Sequence, residues 1–257
     1  MLHEMKLAAA HFAAIRNGTK TIEIRLNDGK RKQIRPGDFI AFSNMNNPAQ
    51  KLQAEVIALH PFPDFAALFA AFPAERLGFG DTAPDPACMY EYYAKEAEAE
   101  FGVLGIELRV TALQRYLDAQ ENGIPGYYDC SDYRTALAEI RSGKKQTHWM
   151  WYVFPQLAGL ARNPSEISHF YELRGKAEAA LYIRHPVLRA RLAEISQALL
   201  ELDSCDPVAV FETVDAYKLR SCATLFSVLA PEEPVFSALL GKYCMGTPDD
   251  LTLRMLR

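Results

Sequence analysis

With 257 residues, 49% of them hydrophobic and 23% charged, the chain can bury a sizeable core, and its length predicts two domains of roughly 100–150 residues. No run approaches the ~20 apolar residues of a membrane span, and the N-terminus lacks the basic and apolar regions of a signal peptide, so neither a membrane partner nor export is expected. The net charge of −4 hides an asymmetry, because residues 1–51 carry nine Lys or Arg against four Asp or Glu, and residues 52–108 two against ten.

The first half predicts mixed α and β structure. "EMKLAAAHFAAIRNG" places Leu7, Phe12 and Ile15 near helical spacing and stops at Asn17-Gly18, so the N-terminus is expected to enter the fold as a helix. "KTIEIRL" alternates, with Ile22, Ile24 and Leu26 on one face and Thr21, Glu23 and Arg25 on the other, which predicts a half-buried strand. "NDGK" is a turn, "IRPGDFIAFSN" a turn entering a strand, and "KLQAEVIALHPF" another strand. Helices are expected in "FPDFAALFAAF" and "DPACMYEYYAKEAEAEFG", and "VLGIELRVT" closes the half as a strand. Three or four short strands with helices at the edges suggest a small barrel.

From Thr111 the strand signal ends. "TALQRYLDAQEN", "SDYRTALAEIRSG", "NPSEISHFYELRGKAEAALYI", "HPVLRARLAEISQALLEL", "DPVAVFETV", "DAYKLRSCATLFSVLA", "EEPVFSALLGKYC" and "PDDLTLRML" predict helices, several opened by Ser, Asp or Pro. "ENGIPGYYDC" is a loop between them. The change of period sets a domain boundary near Val110, giving an α+β domain over 1–109 and an all-α domain over 110–257.

"GTKTIEIRLNDGKRKQIRPGDFIAF", followed by "EFGVLGIEL", resembles the ASCH domain, a barrel family related to the PUA RNA-binding domains. The resemblance rests on Gly18-x-Lys20-Thr21-x-Glu23-x-Arg25 and on Pro36-Gly37-Asp38. It implies a PUA-like barrel that binds RNA or a nucleotide, with Lys20, Thr21, Glu23 and Arg25 at the site. Two cations beside a glycine turn suit a phosphate or base edge; alternatively, Glu23 simply holds Arg25. One branch of that superfamily, associated with amide hydrolysis on modified cytidines, has Lys-Thr-x-Thr, whereas Glu23 stands here in place of the second threonine.

"LQRYLDAQ", "YRTALAEIRSGKKQTHWMWYVFPQLAGL", "AALYIRHPVLRARL" and "DAYKLRSCATLF" resemble, in order, the all-helical family called domain of unknown function 1810. Within it, "KKQTHWMWYVFPQ" sets Lys144, Lys145 and His148 against Trp149, Trp151, Tyr152 and Phe154. Indole and phenol rings stack bases, the lysines suit a phosphate, and His148 is a general acid or base near neutral pH. On the helix of "DAYKLRSCATLF", Asp215, Lys218 and Cys222 share a face with Ser221 beside them, so this helix is expected to form the facing wall of a pocket. The competing reading is that the rings are core.

These readings make the chain an RNA- or nucleotide-binding protein. An alternative is a hydrolase or nuclease acting on a nucleotide, modified nucleoside or RNA, with Lys20 and Glu23, or His148 and Asp215, as acid–base groups. A third is a protein-interaction module. The six histidines show no H-x-x-x-H or H-E-x-x-H spacing, so no metal and no cofactor are expected. Five scattered cysteines without C-x-x-C point to reduced thiols and the cytoplasm.

Overall fold

The structure is a computed structural model that describes residues 1–80, 85–127 and 129–257. Tyr128, inside the loop expected over 121–130, lies outside the described residues. The chain divides into two compact units, Met1–Gln114 and Arg115–Arg257.

The first unit is built on five strands, β1 (Leu2–Leu7), β2 (Ile22–Leu26), β3 (Phe39–Asn44), β4 (Asn47–Phe62) and β5 (Val103–Val110). Their order is β1-β3-β4-β5-β2, with β1 parallel to β3 and the other pairs antiparallel, forming a curled half-barrel. Helices α1 (Ala9–Arg16), α2 (Phe65–Ala71), α3 (Ala74–Leu77) and α4 (Lys95–Phe101) accompany it.

The N-terminus corrects the helix expected from residue 4. Met5 and Leu7 alternate into the core while their backbone pairs with β3, and only the alanine run from Ala9 turns helical. Among the described residues the strands number five rather than three or four, and β4 is sixteen residues long. "DPACMYEYYAKEAEAEFG" is not one helix but a 3-10 turn over Pro86–Glu91 followed by α4.

Both faces of this sheet are covered. Phe12, Ile15, Ile40, Phe42 and Ile106 pack in one cluster, and Ile22, Ile24, Phe65, Leu68 and Val103 in another. That is why β2 is not half-buried as its alternation predicted: Glu23, on the polar face, is only 4% exposed.

The second unit is helical, with α5 (Gln114–Asn122) at its start, then α6 (Tyr133–Arg141), α7 (Met150–Val153), α8 (Glu166–Phe170), α9 (Lys176–Arg184), α10 (Pro186–Glu201), α11 (Pro207–Leu229), α12 (Pro234–Cys244) and α13 (Asp250–Met255). The caps follow from the sequence. Asp132, Asp206 and Asp249 each accept a first-turn backbone N–H, and Pro186, Pro207 and Pro234 open their helices. "NPSEISHFYELRGKAEAALYI" breaks into α8 and α9 around Leu173, which pairs with Leu157 in an isolated parallel bridge. The two segments read as separate helices are two helical runs within α11, which meet at the non-helical backbone of Glu212.

Candidate functional site

On the half-barrel, the motif residues form an interior ion-pair network. Lys20 Nζ lies 3.4 Å from Glu23 Oε2, and Arg25 Nε 2.9 Å from Glu23 Oε1, with Lys20 and Glu23 side chains 3% and 5% exposed. Lys20 Nζ also donates to the Leu77 carbonyl, and Arg25 Nη2 to the Lys6 carbonyl. Burial drives the Lys20 ammonium below the ordinary lysine range, against the opposing pull of Glu23. Thr21 Oγ1 accepts from Arg76 Nε. His11 Nδ1 is buried beside Lys20 without a hydrogen-bond partner among the described residues, and burial first, then Lys20, lowers its pKa. The expected open mouth of cations is therefore, for Lys20, an enclosed pair tying β2 to the end of α3. The exposed cations lie farther along, at Lys30, Lys32 and Arg35.

In the helical unit, "SGKKQTHW" is shaped by a residue the sequence reading missed. Glu139, near the end of α6, accepts from Gln146 N at 2.8 Å, Thr147 N at 3.1 Å, Thr147 Oγ1 at 2.6 Å and Trp149 Nε1 at 2.7 Å. Burial raises this carboxyl, but the four donors outweigh it and hold it below the usual range. The only sequence signal was a glutamate on an otherwise inward-facing helical position. Lys145 N donates to the Val210 carbonyl, fastening the same loop to α11.

The folded loop and the kinked stretch of α11 enclose a cleft of about 390 Å³, walled by Lys145, His148, Trp149, Trp151, Asp215 and Lys218 among others. Of the residues proposed from sequence, those six converge here. Lys144 is exposed and Ser221 lies further along α11, and neither lines the cleft.

The two tryptophans divide the readings between them. Trp149 is fully buried and packs edge-on to Phe211, so it is core. Trp151 is only partly buried, and its ring lies nearly parallel to that of exposed His148, with centroids 6.1 Å apart.

Asp215 bridges two cations: Oδ2 meets Lys145 Nζ at 2.9 Å and Oδ1 meets Lys218 Nζ at 2.8 Å. Burial raises its carboxyl, yet the hydrogen bonds from Lys145 and Lys218 prevail and keep it below the usual carboxylate range. Its oxygens are thus committed to the lysines, and no hydrogen bond joins Asp215 to His148 among the described residues. The lysines in turn stand over the indoles, Lys145 at 5.6 Å from the Trp149 ring and Lys218 at 5.4 Å from that of Trp151.

Glu212, also in the wall, has φ 64° and ψ 169°. This is backbone that glycine adopts freely and that costs another residue on the order of 1–3 kcal/mol. The kink starts a fresh helical run at Thr213, whose first residues line the cleft. Among the described residues the other non-glycine residues with positive φ are Asp129 and Met245, the latter an ordinary left-handed helix cap.

Among the described residues, no group of three or more His, Cys, Asp or Glu is placed to hold a metal ion. The five cysteines are free thiols, and among the described residues no helix is long and apolar enough to cross a membrane.

The model of the family described as protein of unknown function DUF1810 matches residues 110–256, and that of the ASCH domain matches residues 5–112. No curated protein matches the chain. Among solved structures, the conserved hypothetical protein Rv1873 from Mycobacterium tuberculosis is 35% identical with a TM-score of 0.50, over 56% of this chain and 95% of that one. Hypothetical protein PH0355 is 29% identical over 43% of this chain and 99% of its own, with a TM-score of 0.38. Protein PF0455 from Pyrococcus furiosus is 28% identical over 44% and 99%, with a TM-score of 0.35.

Proposed function

The chain belongs to the DUF1810 family and carries an ASCH domain ahead of that region, and from this premise we propose that it is an RNA- or nucleotide-binding protein whose ligand is seated in the helical cleft. The observation that carries the reading is the convergence of Trp151, His148, Lys145 and Lys218 on one opening. Rings there offer a stacking surface, and the Lys145–Asp215–Lys218 bridge retains one net positive charge beside the first turn of a helical run. A base and a phosphate need those two features side by side.

Calorimetric titration of the full chain with adenosine 5′-monophosphate tests this. Trp151→Ala is expected to weaken binding on the order of 10- to 100-fold, the worth of one stacked base. Lys145→Ala should weaken it less, because Asp215 already neutralises part of that charge. Wild-type protein that binds no ribonucleotide, or a Trp151→Ala variant that binds like wild type, contradicts the reading.

The ASCH domain, a PUA-like fold often linked to RNA, supplies the second contact. Its exposed cations Lys30, Lys32 and Arg35 are suited to phosphates, so affinity for a short RNA is expected to fall steeply between 50 and 200 mM salt, values of the order used for such slopes. A Lys30→Ala, Lys32→Ala, Arg35→Ala variant should flatten that slope by about three charges. Anisotropy titrations measure both, and an unchanged slope removes these residues from the RNA contact.

A further inference from the structure

Glu212 stands in the cleft wall on backbone suited to glycine, at the break in α11. Non-glycine residues held on such backbone cluster at active sites and ligand clamps. Within the protein, the Glu212 carboxylate has none: the residue is exposed, and among the described residues it makes no hydrogen bond and no ion pair. Its neighbours differ in this respect. Asp215 holds two lysines, and Phe211 is packed against Trp149 and Phe154.

The chemistry of the surroundings narrows what the carboxylate would meet. Lys145 and Lys218, which take the phosphate in the nucleotide reading, disfavour a cationic group beside Glu212, and the carboxylate disfavours an anionic one at its own position. What remains is a neutral part of the ligand rich in donors. A cis-diol offers two O–H donors to the two oxygens of a carboxylate, whose acceptor capacity is otherwise left to solvent. Three kinds of surface then lie within one cleft: a ring face at Trp151 and His148, cations at Lys145 and Lys218, and an acceptor pair at Glu212.

Resting on the nucleotide reading of this cleft, we propose that Glu212 accepts the 2′- and 3′-hydroxyls of a ribose, making the ligand a ribonucleotide rather than a deoxyribonucleotide. The same diol occurs in a free ribonucleoside phosphate and at the 3′ end of an RNA. A short RNA ending in a free diol, compared with the same RNA ending in a 3′-phosphate, distinguishes the two sources.

The test is calorimetric titration of wild type, Glu212→Gln and Glu212→Gly with adenosine and 2′-deoxyadenosine 5′-monophosphates. Wild type should prefer the ribonucleotide about 10-fold, as a charge-assisted hydrogen bond implies. Glu212→Gln should narrow the preference, and Glu212→Gly should bring it near unity. The glycine variant should also melt above wild type, because it relieves the backbone, so loss of folding does not explain its lost preference. Binding of both nucleotides without preference in wild type, or a preference undiminished in the glycine variant, overturns this inference and leaves the nucleotide reading standing. Failure of wild type to bind either nucleotide overturns both.

Discussion

Replacing Glu23 with alanine is expected to destabilise the protein by about 3–5 kcal/mol, the usual penalty for leaving a buried charge without its partner. The stranded charge is Lys20, whose side chain is 3% exposed and which would keep the Leu77 carbonyl as its acceptor among the described residues. Arg25 suffers less, since it is more exposed and keeps the Lys6 carbonyl. Replacing the pair together, as Lys20→Met with Glu23→Leu, should recover most of the loss, because the desolvation of both charges disappears with them. Urea unfolding followed by circular dichroism measures the cycle. If Glu23→Ala loses under 1 kcal/mol, the network is solvated and Lys20 is open to ligands after all.

Glu139→Ala should cost a comparable amount, about 3 kcal/mol or more, because four donors lose one acceptor at once. The loss should appear in tryptophan fluorescence, since Trp149 Nε1 is one of those donors. A pH dependence follows from the same contacts. The folded carboxyl is held below its unfolded value, so its contribution is complete above the unfolded glutamate pKa and fades as pH falls through the folded one. Glu139→Gln should therefore lie well below wild type in stability at pH 7 and approach it in acid. A constant gap between the two across that range would show that the charge of Glu139 is not what orders the loop.

The elements legible in the sequence were those that carry their own local signal, an alternating run or a capping residue. β2, β5 and the helices capped by Asp132, Asp206 and Asp249 stand where alternation, helical spacing and caps put them. β1 was hidden, because its partner β3 lies some thirty residues away along the chain and "KLAAAHF" has helical propensity throughout. The depth of Glu23 was hidden for a related reason: periodicity on one strand cannot reveal that the second face of the sheet is covered too.

At the candidate site, the aromatic and basic composition of "KKQTHWMW" was visible, and so was the facing helix of Asp215 and Lys218. What spacing did not separate was Trp149 from Trp151. The difference is set by Glu139, ten residues upstream, which takes the indole N–H of Trp149 into the interior. The break in α11 was legible to within two residues, between the segments ending at Val214 and starting at Asp215, but the positive φ of Glu212 was silent, since no glycine marks it.

The most direct measurement of the account is a tryptophan-fluorescence titration with a ribonucleotide, because the chain's two indoles have opposite fates in the structure. The account predicts saturable quenching in wild type that is retained when the buried Trp149 reports alongside Trp151 and is lost in Trp151→Phe, while the melting temperature of that variant stays close to wild type. Quenching that persists undiminished in Trp151→Phe, or no quenching in wild type at millimolar nucleotide, would contradict the placement of the ligand in the helical cleft.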